Sequence, residues 1–464
     1  MRKIRNRSAM VLLMTIAFFA GLIYHTVNIF IHAEEWVMKP QNQHLTAAGN
    51  LEYGGKIFDI NNVILAQSID GERVYNDDEL VRKACLHVIG DDTNSNIFNS
   101  IQDIYRAELI GYDFTFGFGM PKNLRKGKDI RLTIDSKLQK AALTALGDRK
   151  GAVIFYNYKT GAVACMVSTP TYDPQNRPND LETNDAYEGV YLNRALWGQY
   201  TPGSTFKLVT AAAGLENIND VEKKVIDCKG TDMIGDKAVT CEFSMGNVNM
   251  REAICYSCNI YFGHLAFELG KAKMTEQAEK MGFNSRIKFD GMESAKSIYD
   301  VSEASPNKFA WSGVGQYTTL ETPINVAMIS AAIANEGIPV TPYIVQSITD
   351  NEFEHSSSFG NAIMSHETAK KLYDYMDYAV ENNYGKSRFS SKFDVCAKTG
   401  TAEVSEDGQD AHAWITGFCK DEEFPYAFAV VVEHGGSGYD NAIPVAAAVM
   451  SAAEEAINSG QTYR

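Results

Sequence analysis

The chain has 464 residues, which exceeds the usual size of a single domain, so two or more folded units are expected. Hydrophobic residues make up 45% of the chain and charged residues 22%, proportions that suit a globular protein with a sizeable core. The net charge of -15 argues against a protein that binds nucleic acid through its phosphates, because such binding needs a basic face.

The N-terminus has a basic flank followed by a long apolar run. Four Lys and Arg residues lie within the first seven positions, and residues 9–31 then form an apolar stretch of 23 residues. About 20 residues span a bilayer, and a positive flank stays in the cytoplasm. A cleaved signal peptide would have a shorter apolar core and a small-residue cleavage site. We therefore expect a cytoplasmic tail at 1–8, an uncleaved transmembrane anchor at 9–31 and an extracytoplasmic remainder.

Residues 35–148 contain regular elements but no group of catalytic residues. The stretch GGKIFDINNVILAQS, residues 54–68, alternates apolar and polar positions around Asn61-Asn62, which predicts two strands and a turn. Helical patterns follow at 78–90, at 95–109 and, after a short strand, at 132–147. We expect a small, non-catalytic N-terminal domain here.

From residue 149 to the C-terminus the pattern is that of an α/β domain. GAVIFYNYKTGAVACMVS, residues 151–168, predicts a hairpin of two apolar strands. Helical patterns fill the middle of the domain, at 249–270, 274–281 and 322–336. Strand patterns return at 393–404, 411–419 and 426–435, before a final helix at 442–458. Strands first and last, with helices between them, predict an α/β sandwich whose sheet is closed by distant parts of the chain.

The eight cysteines do not have the spacing of a metal site. Cys255 and Cys258 form a Cys-x-x-Cys pair, but no second pair and no pair of histidines completes a zinc site, so no metal or cofactor is expected. Cys228 and Cys241 flank a glycine-containing turn, and export permits disulfides. A bond between these two cysteines is therefore a hypothesis that counting free thiols would test.

Ser204 and Lys207 are candidates for a nucleophile and its base. Ser204 follows a Pro-Gly turn at the start of an apolar, alanine-rich helix, where backbone N–H groups are unpaired. Residues three apart share a helix face, and a desolvated lysine has a lowered pKa, so it can act as a base. Ser-x-x-Lys also occurs at Ser285 and at Ser305, where surface polar residues are the simpler interpretation.

Two further motifs become informative only in combination. Ser257 and Asn259 precede an apolar helix, where capping is the common explanation for such residues. Lys-Thr-Gly occurs twice. The copy at Lys159 lies in the hairpin turn, whereas the copy at Lys398 lies in strand sequence and could bind the carboxylate end of an extended peptide.

The order of the motifs separates the two Lys-Thr-Gly copies. Ser-x-x-Lys, Ser-x-Asn and Lys-Thr-Gly, in that order, are known from penicillin-binding proteins and β-lactamases. Only the motifs that begin at Ser204, Ser257 and Lys398 follow this order with domain-scale spacing, across about 200 residues. Each motif is weak by itself, but the ordered set is specific.

From about residue 151 to the C-terminus, roughly two thirds of its length, the chain resembles the class B penicillin-binding proteins, the monofunctional peptidoglycan D,D-transpeptidases. The resemblance rests also on NRALWGQYTPGSTFKL, REAICYSCNIYF, SGVGQYTTLETPINVAMISAAIANEG and AKTGTAE followed by HAWITGF. The chain departs from the family at Tyr317, where a glycine commonly follows Gln316, and GGKIFDINNVILA lacks the family's usual arginines.

The resemblance implies the fold of the serine penicillin-recognising enzymes. That fold is of the α/β (α+β) class, with a five-stranded antiparallel sheet sandwiched by helices, an all-helical lobe and the site at their junction. Here a small N-terminal domain and one transmembrane helix would precede it. The implied ligands are peptidoglycan stem peptides, their lipid-linked precursor and β-lactams, and the implied partner is a membrane-embedded glycan polymerase. No nucleic acid is implied.

The resemblance also implies a role for each motif residue. Ser204 would attack the carbonyl of the penultimate D-Ala, with Lys207 as base, and Ser257 would pass a proton to the leaving amine. Asn259 would hold Lys207 and the substrate amide. The terminal carboxylate would bind the segment Lys398, Thr399, Gly400 and Thr401, of which Gly400 contributes by lacking a side chain. The backbone N–H groups of Ser204 and Thr401 would form the oxyanion hole.

Three alternatives stay open at this point. A serine β-lactamase would be shorter and soluble and would release its acyl group quickly. A D,D-carboxypeptidase would use water as acceptor, which only product analysis distinguishes. A non-enzymatic penicillin sensor would need a cytoplasmic signalling portion, whereas the predicted tail has only about eight residues.

Overall fold

The computed structural model describes residues 2–31, 51, 54–91, 97, 99–111, 127–349, 357–403 and 410–463. The beginning of the predicted N-terminal domain and part of the predicted helix at 95–109 lie outside the described residues. The elements, contacts and distances are those of these described residues.

The helices are α1 (Arg2–Ile31), α2 (Glu79–Ile89), α3 (Ile101–Ile104), α4 (Arg106–Ile110), α5 (Ser136–Leu146), α6 (Arg194–Trp197), α7 (Lys207–Asn217), α8 (Met250–Cys255), α9 (Asn259–Lys280), α10 (Pro306–Ser312), α11 (Pro323–Ala334), α12 (His366–Ala379), α13 (Gly438–Asn441) and α14 (Ile443–Asn458).

The strands are β1 (Ile57–Phe58), β2 (Ile64–Ile69), β3 (Glu72–Tyr75), β4 (Ile130–Leu132), β5 (Gly151–Asn157), β6 (Val163–Thr169), β7 (Ile226–Cys228), β8 (Thr231–Ile234), β9 (Lys237–Thr240), β10 (Gly246–Val248), β11 (Lys288–Phe289), β12 (Met292–Glu293), β13 (Val345–Ile348), β14 (Val395–Ala402), β15 (His412–Cys419) and β16 (Tyr426–Val432).

Helix α1 is long and apolar enough to cross a membrane. The apolar segment Ile4–Ile29 has 26 residues and is not buried against the rest of the chain. At 1.5 Å per residue, about 20 residues already cover the hydrocarbon core of a bilayer. The helix therefore fits a single-pass membrane protein, while the side of the membrane on which each end lies stays a prediction.

A small mixed sheet follows the N-terminal helix, with the strand order β13-β4-β1-β2-β3. The predicted turn between β1 and β2 is present, and Asn62 adopts the left-handed backbone conformation there, with a φ of 65°. Strand β13 comes from a distant part of the chain and pairs with β4. The small sheet thus contains strands from both sides of residue 148. The predicted division into two domains at that residue stays a prediction.

The central sheet has the order β14-β15-β16-β5-β6, and every neighbouring pair in it is antiparallel. The hairpin of β5 and β6 joins strands from the C-terminal part of the chain, as the sequence predicts. Successive residues of β5 face opposite sides of the sheet. Ile154 and Tyr156 pack into the core that includes α11, whereas Val153 and Phe155 pack into the core that includes α5 and α14. The predicted five-stranded sheet between helices is confirmed.

The part of the chain between β6 and β14 forms a helical lobe, in which α7 packs against α9. The prediction of one helix over 249–270 is wrong in detail. The structure has two helices here, α8 and α9, and they are separated at Ser257, whose φ is 60°. The lobe also carries two short ribbons, β7 with β10 and β8 with β9, that the sequence did not predict. Their strands have three or four residues, too few for an alternation pattern to be visible.

Candidate active site

Ser204 lies in a 3-10 turn, Gly203–Phe206, which leads directly into α7. Gly203 has a φ of 54°, and a Cβ atom on it would lie 2.8 Å from the carbonyl oxygen of Thr401. Only glycine suits this position, because the position requires a left-handed backbone and leaves no space for a Cβ atom beside Thr401. The turn thereby brings the half-buried Ser204 against strand β14.

Lys207 is completely buried and reaches the other motif residues with its amine. Its Nζ lies 2.9 Å from Ser204 Oγ, 2.7 Å from Asn259 Oδ1, and 2.7 Å and 3.0 Å from the carbonyl oxygen and Oγ of Ser257. Burial lowers the pKa of Lys207 well below its ordinary value, and the positive charge of Lys398 adds to that shift. The amine is thus prepared to be neutral beside the Ser204 hydroxyl.

Ser257 occupies the break between α8 and α9. A non-glycine residue with positive φ is uncommon, and such strain is found at functional sites. The break places Ser257 Oγ between two lysines, 3.0 Å from Nζ of Lys207 and 3.2 Å from Nζ of Lys398. An unbroken helix would not place the side chain there.

Asn259 is the first residue of α9, and its side chain is held from two sides. Its Oδ1 accepts a hydrogen bond from Lys207, and its Nδ2 donates to the carbonyl oxygen of Thr240 at 2.8 Å. Helix capping, the simpler interpretation of this motif, falls instead to Cys258, whose sulfur accepts the N–H of Tyr261. The amide of Asn259 is therefore not used as a helix cap and instead holds the amine of Lys207.

Lys398 lies on the edge strand of the central sheet and is completely buried. Its Nζ donates to the carbonyl oxygen of Thr399 at 2.8 Å as well as to Ser257 Oγ at 3.2 Å. Burial lowers the pKa of Lys398 to about 7. At neutral pH this group can therefore exist both as a cation and as a neutral amine.

The rest of the motif lines the cleft. Thr399 is half-buried and Thr401 is exposed. A Cβ on Gly400 would lie 2.9 Å from the carbonyl oxygen of Pro202 and 3.1 Å from Thr205 Cγ2. The lack of a side chain at Gly400 therefore lets the strand pack directly against the turn that carries the nucleophile.

Tyr384 is a site residue that the sequence motifs missed. Its hydroxyl accepts the backbone N–H of Thr399 at 3.2 Å, contacts Thr399 Oγ1 at 3.1 Å, and lies 3.4 Å from Nζ of Lys398. It ends a π-helical turn, Val380–Tyr384, which continues α12, and such turns occur often at functional sites. In the sequence, the feature that could have pointed to Tyr384 is the amphipathic helical pattern at 366–379, which ends shortly before this residue.

A cleft with a volume of about 810 Å³ opens over these residues. That size suits a small-molecule or peptide ligand. Its walls include Ser204, Ser257, Asn259, Thr399 and Thr401. The two buried lysines lie beneath this polar wall.

The other copies of the motifs do not contribute to the cleft. Lys159 is exposed at the tip of the β5–β6 hairpin, and Gly161 closes the turn with a φ of 92°. Ser285 is exposed, and Ser305 caps α10 by accepting the N–H of Lys308. The structure therefore separates the copies as the motif order does.

Comparison with known proteins agrees with this geometry. Residues 151–451 match the family model described as the penicillin binding protein transpeptidase domain. The peptidoglycan D,D-transpeptidase PbpA of Mycolicibacterium smegmatis is 30% identical over 361 residues, which cover 71% of this chain and 73% of that protein.

Two solved structures are similar to most of the chain. The D,D-transpeptidase domain of a peptidoglycan glycosyltransferase from Eggerthella lenta has a TM-score of 0.76 at 30% identity, covering 88% of this chain and 99% of that one. The ceftriaxone acyl-enzyme complex of penicillin-binding protein A from M. tuberculosis has a TM-score of 0.77 at 26% identity, with the same coverage. The chain belongs to the penicillin-binding protein transpeptidase family, and within it to class B.

Proposed function

We propose that this peptidoglycan D,D-transpeptidase cross-links stem peptides in cell wall synthesis through an acyl-enzyme on Ser204, and that β-lactams acylate the same serine. The observation that carries the assignment is the convergence of two separate motifs on one buried amine, with Lys398 of the third motif 3.2 Å from Ser257 Oγ. Nζ of Lys207 contacts Ser204 Oγ, Ser257 Oγ and Asn259 Oδ1 at 2.7–3.0 Å. A nucleophile, a base and the groups that orient the base are thereby within hydrogen-bond reach of one another.

Lys207 is proposed as the base of acylation. A neutral amine offers two N–H donors and one lone pair. The two shortest contacts, to the carbonyl oxygen of Ser257 and to Asn259 Oδ1, are both made to acceptors, so they use the donors. The lone pair is left for the hydroxyl proton of Ser204. As Ser204 Oγ bonds to the carbonyl carbon of the penultimate D-Ala, that proton moves to Lys207.

Ser257 is proposed to complete the proton transfer. Its hydroxyl lies between Nζ of Lys207 and the cleft, so a proton can pass through it from the lysine to the nitrogen of the leaving D-Ala. The C–N bond breaks as that nitrogen becomes an amine. In the second half-reaction the amine of a neighbouring stem peptide attacks the ester and returns a proton by the same route.

The backbone N–H groups of Ser204 and Thr401 are proposed to stabilise the oxyanion. The close contact between Gly203 and the carbonyl of Thr401 supports this, since it brings the two segments together at the nucleophile. One such donor contributes about 3 kcal/mol to the transition state.

Lys398, Thr399 and Thr401 are proposed to bind the terminal carboxylate. Strand β14 is at the edge of the central sheet, and an extended peptide can lie along an edge strand by hydrogen bonding to its backbone. Lys398 supplies a cation beneath the strand and the threonines supply hydroxyls. Gly400 contributes indirectly, because its lack of a side chain lets the strand pack against the turn that carries Ser204.

The N-terminal features support a proposal on location and partners. We place α1 in the membrane with its basic end inside, which puts the cleft outside the cell. A membrane-embedded glycan polymerase would then supply the nascent strands, in keeping with the family resemblance.

Product analysis tests the transpeptidase proposal. The full-length protein would be reconstituted with lipid-linked precursor and a glycan polymerase, and the digested product would be separated by mass. We expect cross-linked dimers with the wild type and none with Ser204→Ala. Release of D-Ala without any dimers would contradict the proposal and would indicate a carboxypeptidase.

A further inference from the structure

Three cysteines come together next to the active site, and two of them, Cys228 and Cys241, are the pair for which the sequence suggested a disulfide. Cys228 ends strand β7, Cys241 follows β9, and Cys258 caps α9. Their sulfur atoms all lie within 4.8 Å of one another, and those of Cys241 and Cys258 are 3.7 Å apart. All three thiols are free. Three elements thus direct one sulfur each to the same point.

The spacing of the sulfurs is close to that of a metal site. A tetrahedral zinc ion with Zn–S bonds of about 2.3 Å separates its sulfur ligands by roughly 3.8 Å. The pair at 3.7 Å already has that separation, and the third sulfur needs to move by no more than about an ångström. A disulfide, in contrast, would use only two of the three.

The backbone around the cluster favours negatively charged sulfur. Cys241 Sγ accepts the N–H groups of Asn259 at 3.2 Å and Ile260 at 3.4 Å, and Cys258 Sγ accepts that of Tyr261 at 3.4 Å. These donors belong to the first turn of α9, where the helix dipole also favours negative charge. Backbone N–H groups that donate to the sulfur are usual around a metal-bound cysteine thiolate.

We propose that Cys228, Cys241 and Cys258 bind one Zn²⁺ ion as three thiolates. Thiolates select soft or borderline ions such as zinc over magnesium or calcium. Binding releases the three thiol protons to solvent. Cys228 and Cys258 are fully buried, whereas Cys241 is half-exposed and lines the cleft, so the fourth position faces the cleft and holds a water molecule.

The Cys-x-x-Cys pair that the sequence suggests is not this site. Cys255 packs into a different core, together with α5 and α14, and only Cys258 of that pair belongs to the cluster. The other two ligands come from the short ribbons that the sequence pattern did not predict. A spacing search therefore could not find the cluster.

Metal binding would also hold part of the catalytic machinery. Cys241 accepts the backbone N–H of Asn259, whose side chain accepts a hydrogen bond from Lys207. If the proposed function of these residues is correct, zinc fixes the position of Asn259. The binding test below does not depend on that function.

The first test uses the full-length protein in detergent, reduced and freed of metal. Co²⁺ serves as the spectroscopic probe, since thiolate ligands give a charge-transfer band, and Zn²⁺ is then counted by elemental analysis after gel filtration. We expect one Zn²⁺ per chain, which displaces the cobalt band. Cys228→Ala, Cys241→Ala and Cys258→Ala should each weaken or abolish the band, whereas Cys255→Ala and Cys165→Ala should keep it.

A second measurement needs no variant. Zn²⁺ should slow alkylation of the half-exposed Cys241 thiol in the wild type, and a chelator should restore the rate. The proposal is overturned if the wild type shows no cobalt band and no protection of this thiol. It is equally overturned if mass analysis of the protein kept with Zn²⁺ finds two of the three cysteines joined as a disulfide.

Discussion

Nζ of the fully buried Lys207 lies 2.9 Å from Oγ of Ser204, with Asn259 and Ser257 holding the amine from the other side. A base must lose its proton to act, and an arginine does not do so in a protein. Lys207→Arg should therefore lower the rate constant of acylation by a fluorescent penicillin about 10²- to 10⁴-fold. Lys288→Arg, at the exposed lysine of another Ser-x-x-Lys copy, is the control and should react like the wild type. Similar rates in both variants would refute Lys207 as base.

The two Lys-Thr-Gly copies should respond differently to the same substitution. Lys398→Ala removes a buried cation from beneath the cleft and should slow penicillin acylation about 10- to 100-fold, the value of a hydrogen bond to a charged group. Lys159→Ala changes an exposed hairpin tip and should alter the rate less than about 2-fold. Equal losses in the two variants would contradict the assignment by motif order.

The rate of acylation should depend on pH through both lysines. Lys207 has a lowered pKa and acts when neutral, so the rate should rise as pH rises through that pKa. Lys398 has a pKa of about 7 and binds a carboxylate when protonated, so the rate should fall as pH rises above about 7. The second-order rate constant for the free enzyme should thus follow a bell-shaped curve.

Lys398→Arg isolates the descending part of this curve. Arginine stays protonated far above neutral pH, so this variant should lose the decline while reacting more slowly overall. A decline that persists near pH 7 in Lys398→Arg would show that another group titrates there.

The hydroxyl of Tyr384 should position the substrate-binding strand. Tyr384→Phe loses a hydroxyl that contacts the backbone and side chain of Thr399 and also Lys398, and we take the net effect on the transition state as that of one hydrogen bond, ~1 kcal/mol. We expect about a 3- to 10-fold slower acylation, with the acylated serine unchanged. Tyr378→Phe, on the helix before the π-helical turn, is the matched control. An altered pH profile in Tyr384→Phe would further support its contact with Lys398, whereas an unchanged rate would remove Tyr384 from the site.

Much of the fold was predictable from local pattern. The β5–β6 hairpin, the strands β14 to β16 and the final helix follow from apolar runs bounded by turn residues, and their pairing follows from the family resemblance. Helix α5 lies within the predicted pattern at 132–147, with Asp135 as its N-terminal cap and Gly147 at its end. Each of these features depends on residues that are neighbours in sequence.

What the sequence did not predict depends on approach between distant segments. The break at Ser257 interrupts a run with good helical pattern, because the side chain must reach two lysines on other elements. Tyr384 and the three clustered cysteines likewise become neighbours only when separate elements pack. Strand β13 joins the small sheet from across the chain for the same reason.

The central claim is that Ser204 carries the acyl group. The full-length protein should be labelled with penicillin, digested, and the modified peptide sequenced by mass spectrometry. The account predicts a single penicilloyl group on Ser204 and no labelling of Ser204→Ala, while Ser285→Ala and Ser305→Ala label like the wild type. Labelling that persists in Ser204→Ala, or a modified residue elsewhere, would contradict it.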